Sequence, residues 1–241
     1  MRSDKQRRVG LARRLSKLGY CSRAQAFELV GSGRVAIGGR IQRNPEYPVT
    51  AGDAVTVDGR LVTASDRLYL MMNKPRGLVT TASDEKGRST VYSLLGPELP
   101  WIAPVGRLDQ ASEGLLLFTN DSEWAARITS PESHIEKTYR VQVAAVVNKQ
   151  LLHKLRNGVA DRGETLRATQ ASILRTSQKT SWLAITLDEG RNRQIRRMLA
   201  AEGIEVLRLI RIAIGPLALG NLAKRQVRLL SEAEKKSLDL R

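Results

Sequence analysis

Short apolar runs, none longer than a handful of residues, most constrain what this 241-residue chain can become. Leu68-Tyr-Leu-Met-Met, Leu115-Leu-Leu-Phe, Tyr139-Arg-Val-Gln-Val, Leu183-Ala-Ile-Thr-Leu and Val206-Leu-Arg-Leu have the length and composition of buried strands. Helical spacing falls near residues 122–129, 148–156 and 192–202, without the regular strand–helix alternation of a parallel sheet, so α+β is expected. A membrane helix needs about 20 apolar residues, and no run comes near that. One cysteine, Cys21, rules out an internal disulfide framework. His134 and His153 are the only histidines, too few for a Cys/His zinc cluster, so no metal is expected. Neither a phosphate-binding lysine loop nor a dinucleotide glycine fingerprint is present, and no repeat is visible.

Charge narrows the partners. The chain holds 40 Lys+Arg against 24 Asp+Glu, a net +16, and residues 1–60 carry twelve of the former against five of the latter. With 41% hydrophobic residues this is a globular chain and not a disordered basic tail. A positive field of this size favours phosphodiester backbones and makes binding salt-dependent. An anionic membrane surface would want a broad apolar face with aromatic anchors, and the basic segment has only Tyr20, Phe27 and Tyr47. Nucleic acid is the better partner. Residues 1–8 form a basic tail with no apolar stretch or cleavage site behind it, so a cytoplasmic location is expected.

The basic segment has its own architecture. Leu11, Leu15 and Leu18 recur at helical spacing with Arg13, Arg14 and Lys17 between them, and Gly19 stops the helix. Ser22 and Gln25 make a capping-box pattern before Ala26, Leu29 and Val30. Arg34-Val-Ala-Ile leads into a Gly38-Gly39 turn, and Asp53-Ala-Val-Thr-Val alternates before Asp58-Gly59. Residues 9–59 resemble the S4 RNA-binding domain in these elements and their order. Gly38 stands where that family usually has Asn, and either residue tolerates the positive φ of the turn. The resemblance implies a small αL-like module in which Arg13, Arg14, Lys17 and Arg23 meet structured RNA.

The segment richest in chemistry is Gly106-Arg-Leu-Asp-Gln-Ala-Ser-Glu-Gly-Leu-Leu-Leu-Phe, an acid in a glycine-flanked loop before a buried strand. A lone aspartate there is more often a turn or cap residue than a catalyst. Asp109 and Glu113 could also be the paired acids of a glycoside hydrolase. Such a pair must keep one proton at neutral pH, whereas a basic surround lowers carboxyl pKa values, so one ionised nucleophile fits better.

Lys74-Pro-Arg-Gly, Gly106-Arg-Leu-Asp, Lys137-Thr-Tyr-Arg-Val and Glu189-Gly-Arg-Asn-Arg-Gln-Ile-Arg-Arg-Met resemble, in order, four signatures of the RsuA/RluB/RluF-type pseudouridine synthases. The resemblance implies isomerisation of uridine to its C-glycoside in ribosomal RNA, or in a ribosomal subunit assembly intermediate, with one aspartate, base flipping and no cofactor. Asp109 would be that aspartate. The carboxylate can attack either the ribose or the pyrimidine, and both routes are chemically reasonable. Tyr139 would pack on the base near C5, where stacking is worth about 1–3 kcal/mol; Tyr69 shows that strand tyrosines need no such role. Arg196 would pair with Asp109 and keep it ionised. Arg107 would fill the gap that the flipped base leaves. Lys74, Arg76, Arg191 and Arg193 would touch the RNA backbone, the last two at a helix start where cations oppose the dipole unless an anion is near.

Ser112 replaces the usual threonine and keeps its hydroxyl. The tail Leu222-Ala-Lys-Arg-Gln-Val-Arg-Leu-Leu-Ser departs from the family's usual run while retaining Arg228-Leu-Leu. The expected organisation is the tail 1–8, an S4-like domain 9–59, a linker 60–65 and a catalytic domain 66–241 built on a mixed, largely antiparallel sheet. A monomer without membrane attachment is expected. A noncatalytic RNA-binding ribosome assembly factor on the same fold is the alternative.

Overall fold

A computed structural model describes residues 8–239. All but the last residue of the expected basic tail 1–8 therefore lies outside the described residues. The chain divides into two compact units. One runs up to Tyr69 and includes 96–103 and 118–122, and the other comprises 70–95, 104–117 and 123–241.

In the smaller unit, helix α1 (Leu11–Lys17) and helix α2 (Arg23–Gly31) pack on short strands. The capping box forms as its sequence requires. Ser22 Oγ accepts from the Gln25 N–H and Gln25 Oε1 accepts from the Ser22 N–H, which satisfies two donors that the helix start would otherwise orphan. Strands β1 (Val9–Gly10) and β4 (Pro48–Val49) pair with each other. Strands β2 (Val35–Ile37), β3 (Arg40–Ile41), β5 (Val55–Val57) and β6 (Arg60–Leu61) form a sheet in the order β3-β2-β5-β6. Gly38 and Gly39 both have positive φ, the conformation a two-residue hairpin turn demands. Leu11, Leu15, Ala26, Val30, Val35, Val55 and Val57 make the core, so the helical and strand periodicities converge on one apolar cluster. Strand β6 pairs with Thr56 and Val57, which places residues 60 and 61 of the expected linker in the sheet.

The larger fold is built on a nine-stranded mixed sheet. Its strands are β7 (Tyr69–Lys74), β8 (Ala103–Val105), β9 (Glu113–Thr119), β10 (Lys137–Val143), β13 (Gln170–Thr176), β14 (Ser181–Leu187), β15 (Val206–Ile214), β16 (Leu217–Ala218) and β17 (Val227–Leu229). The order is β13-β14-β10-β15-β9-β7-β17, with β16 on β15 and β8 on β9. The β15–β9 pairing is parallel, and β13–β14–β10–β15 is antiparallel throughout. A separate hairpin joins β11 (Val159–Asp161) to β12 (Glu164–Leu166). The remaining α-helices are α3 (Ser122–Thr129), α4 (Lys149–Asn157), α5 (Gln194–Ala201) and α6 (Glu232–Leu238), and short 3-10 turns lie at Val91–Leu94 and Pro131–Ser133.

Alternation along the strands selects one face for the core. Val141, Val143, Leu183, Ile185 and Leu187 point to the side where Leu151, Leu152 and Leu155 of α4 and Ile195, Met198 and Leu199 of α5 pack. Lys137 and Tyr139 fall on that same face by period two, at the end of β10 where the apolar packing gives way to a cleft. Among the described residues no helix is long and apolar enough to cross a membrane.

Candidate active site

The loop 106–112 runs from β8 to β9. Its turn is closed by backbone, because the Ser112 N–H donates to the Asp109 carbonyl at 2.9 Å. The Asp109 carboxylate takes no part in that closure, and its partner is Arg193 Nη1 at 3.4 Å. A turn-forming role therefore does not account for this side chain. The carboxylate is one-third exposed, open enough to meet a substrate.

The loop is clamped from both sides. Gly77 N–H donates to Gln110 O at 2.8 Å, Gln110 Nε2 returns a bond to Gly77 O at 3.1 Å, and Thr80 Oγ1 donates to Leu108 O at 2.7 Å. Beneath it lies Lys74, wholly buried, whose ammonium donates to the carbonyls of Pro75, Asp109 and Ser112 at 3.2, 3.1 and 2.9 Å. Burial pushes this lysine down to about 8, against the opposing pull of Asp109 and Glu113. Gly114, at φ +102°, then lets β9 meet β15. A Cβ there would run into the Arg211 carbonyl, so the parallel bridge that carries the loop needs glycine.

Asp109 and Tyr139 line one cleft of about 210 Å³, together with Arg107, Arg191, Arg193 and Ser112. That is below the roughly 300–1,000 Å³ of sites for drug-sized ligands and suits a single heterocycle. Arg76 borders a second hollow, which it shares with Asp109, Gln110 and Arg193. Two further cations, Lys137 and Arg211, line the main cleft; Lys137 opens the third signature with no role expected of it, and Arg211 lies outside all four.

Several expected roles change. Lys74 cannot touch an RNA backbone, because it is sealed under the loop and saturated by carbonyls. Arg196 does not hydrogen-bond to Asp109. Its Nη2 donates to Ala111 O at 3.2 Å and its Nη1 to Val206 O at 3.1 Å, so it braces the loop while Arg193 holds the carboxylate. Arg193 caps α5 in the left-handed region, φ 50°, and the Asp109 carboxylate supplies the anion that a cation at a helix start requires. Arg191 is paired with Glu189 at 2.9 Å. Glu113 lies outside the cleft lining, 4% exposed and held by Arg208 and Lys224, so the geometry does not make it the second acid of a hydrolase. In the smaller unit Arg13 and Arg23 are exposed, Lys17 is half-buried, and Arg14 donates Nη2 to Ala51 O at 3.0 Å. No group of His, Cys, Asp and Glu among the described residues could hold a metal ion.

The family model described as RNA pseudouridylate synthase matches residues 68–201, and the S4 domain model matches residues 9–55. A ribosomal large subunit pseudouridine synthase B from Bacillus subtilis is 37% identical over 227 residues, 93% of either chain. An uncharacterized RNA pseudouridine synthase from Aquifex aeolicus is 36% identical and covers 91% of this chain and 89% of its own. A crystal structure of a pseudouridylate synthase superposes with a TM-score of 0.68 at 30% identity, covering 95% of this chain and 99% of that one.

Proposed function

The chain belongs to the RNA pseudouridylate synthase family, and from that premise we propose that it isomerises a uridine of ribosomal RNA with Asp109 as nucleophile. The observation that carries the assignment is the position of the Asp109 carboxylate. It is free of the turn that bears it, held by Arg193, and faces the cleft that Tyr139 also lines. The reaction breaks N1–C1′, turns the uracil and joins C5 to C1′. A fixed carboxylate and an aromatic wall in a base-sized cleft meet those needs without a metal.

The remaining assignments follow from that one. Tyr139 packs on the flipped base and Arg107, exposed at the cleft, occupies the vacated stack. Arg76 and Arg193 guide the flanking backbone, and Arg13, Lys17 and Arg23 of the S4 domain add affinity for structured RNA. Residues 9–59, with β6 completing their sheet, serve as the RNA-binding domain, and the segment after Leu61 leads to a catalytic domain from 66 onward. The 37% identity to a large-subunit enzyme favours large-subunit RNA, or a precursor particle containing it, as the substrate. The protein acts in the cytoplasm as a monomer.

The test is tritium release from ribosomal RNA labelled at uridine C5, with wild type and Asp109→Asn in parallel. Release by the wild type alone, with RNA binding preserved in the variant, is the expected result. No release by the wild type from naked RNA or from immature subunits overturns the catalytic reading.

A further inference from the structure

In the cleft, Tyr139 on β10 and Arg211 on β15 are direct cross-strand partners, and Lys137 lies two residues before Tyr139 on the same face. Neither cation is spent on structure in the way its neighbours are. Arg208, also on β15, donates Nε and Nη2 to the Glu113 carboxylate and covers Trp182. Arg197 is divided between Asp161 and Glu164. Arg211, only 6% exposed, donates Nε to Leu115 O at 2.7 Å, and its buried Nη2 has no hydrogen-bond partner among the described residues. The Lys137 side chain has no hydrogen-bond or ion-pair partner among the described residues and is half-buried. A guanidinium has five donors, and leaving them unmet in a dry site is costly. Two such cations at one end of one cleft call for an anionic ligand.

We propose that Lys137, backed by Arg211, forms the subsite that holds a pyrimidine carbonyl oxygen as it becomes negatively charged during uridine isomerisation. The inference rests on the reading of Asp109 as nucleophile and does not depend on which route is used. If Asp109 takes C1′, the N1–C1′ electron pair leaves with uracil and spreads from N1 onto O2 and O4. If Asp109 adds to C6, the C5=C6 pair moves toward C4 and places the charge on O4. In either case C1′ finally bonds C5, the C5 proton leaves, N1 gains a proton and the Asp109 carboxylate is regenerated. No redox partner is needed. Fixed cations aimed where charge develops act most strongly in a site shielded from water. They also keep a detached base from escaping while it turns. Burial, reinforced by Arg211 and opposed by Asp188, lowers the Lys137 ammonium from its ordinary value, which matches a group short of a counter-ion.

The experiment is single-turnover tritium release from C5-labelled ribosomal RNA at saturating enzyme, beside RNA dissociation constants. Wild type is compared with Lys137→Met, Lys137→Arg, Arg211→Met and Asp109→Asn. The expected result for Lys137→Met is a rate about 100-fold lower with affinity within about threefold of wild type, and for Lys137→Arg recovery of about tenfold of that loss. Should Lys137→Met fail to fold, Lys137→Gln carries the same comparison. A saturated rate equal to wild type overturns the proposal. If affinity falls about tenfold at the same time, the two cations are backbone anchors. Tritium release by Asp109→Asn at the wild-type rate would instead sink the assignment of the nucleophile, a result independent of the Lys137 series.

Discussion

Lys74 Nζ donates to the carbonyl oxygen of Asp109 at 3.1 Å from a position with no solvent exposure, so the backbone of the proposed nucleophile rests on a buried charge. Two more carbonyls, from Pro75 and Ser112, complete the ammonium's three bonds. One side chain thus ties the end of β7 to both ends of the turn that presents the carboxylate. This leaves Arg193 to orient the carboxylate itself.

Lys74→Met is therefore expected to cost more in rate than in stability. It orphans three carbonyls but also removes a buried charge, and near neutral pH the two effects largely cancel. A loop displaced by about 1 Å loses on the order of 100-fold in turnover. The lysine titrates at about 8 when folded against a reference of 10.5, so between those values the unfolded chain binds more protons. Wild type should then gain stability relative to the variant as pH rises through that window, by up to roughly 3 kcal/mol. Urea melts of both proteins at pH 7 and pH 10 measure it, and an unchanged difference contradicts the assignment. The rate of the chemical step should fall on an alkaline limb near pH 8, as an amine replaces the ammonium.

Glu113→Gln tests the division of labour between the two acids. Glu113 is buried, which by itself would raise its carboxyl, but Arg208 and Lys224 together hold it below the ordinary range. Its stabilisation is fully present above the unfolded value of 4.5 and is lost as pH falls through the lower, folded one. The variant should lose about 1–3 kcal/mol at pH 7, because a buried partner of two partly exposed cations is removed. Tritium release should persist. Chromatography of the products should show no free uracil from either protein, whereas free base from wild type would restore the hydrolase reading.

Much of this architecture was legible where it depends on neighbours in sequence. The capping box at Ser22, the glycine turn at 38–39 and the burial of Leu11, Leu15, Val141 and Leu183 follow from local spacing. Helices α3, α4 and α5 and five of the six long strands lie where periodicity places them; the sixth, β13, escapes it, because Gln170–Thr176 is mostly exposed and carries no apolar run. The small hairpin 159–166 and the closing strands β16 and β17 do not announce themselves, because two- and three-residue strands carry too little pattern. In the site, motif order singled out Asp109 and Tyr139. The buried role of Lys74 was hidden, since a lysine under a loop and one on a surface share the same local sequence. Its place at the end of a fully buried six-residue strand was the available hint. Period two could have put Lys137 beside Tyr139. Arg211 becomes visible only with the β10–β15 register, a pairing between residues 72 apart in the chain.

Gly114→Ala should be among the most damaging single-methyl additions. The backbone sits at φ +102°, and the new Cβ would press on the carbonyl, nitrogen and carbon of Arg211, none of which can move without breaking the parallel bridge. We expect a loss of about 3 kcal/mol or more, read as a lowered midpoint in denaturant. Gly77→Ala makes the control for φ alone, since φ is +101° there with open space around it, and it should lose only about 1–2 kcal/mol. Equal losses at the two positions would show that the close approach to Arg211 is not what demands glycine.

Arg193, the N-cap of α5, and Arg196, three residues further on within the helix, should fail differently. Arg193 touches only the carboxylate, at 3.4 Å and half exposed, so Arg193→Gln should leave stability within about 0.5 kcal/mol and lower turnover. The guanidinium of Arg196 is half-buried and donates to two carbonyls 95 positions apart, Ala111 and Val206. Arg196→Gln should therefore cost about 1–3 kcal/mol of stability as well as rate, because both acceptors lose a charged donor. Lysine discriminates further. At 193 it can still offer a point charge to Asp109 and should recover much of the rate, whereas at 196 one ammonium cannot replace a fork that spans two acceptors. Turnover and denaturation midpoints for the four variants decide the matter. If Arg193→Lys behaves like Arg193→Gln while Arg196→Lys is near wild type, the carboxylate depends on Arg196, and the roles drawn from the geometry are reversed.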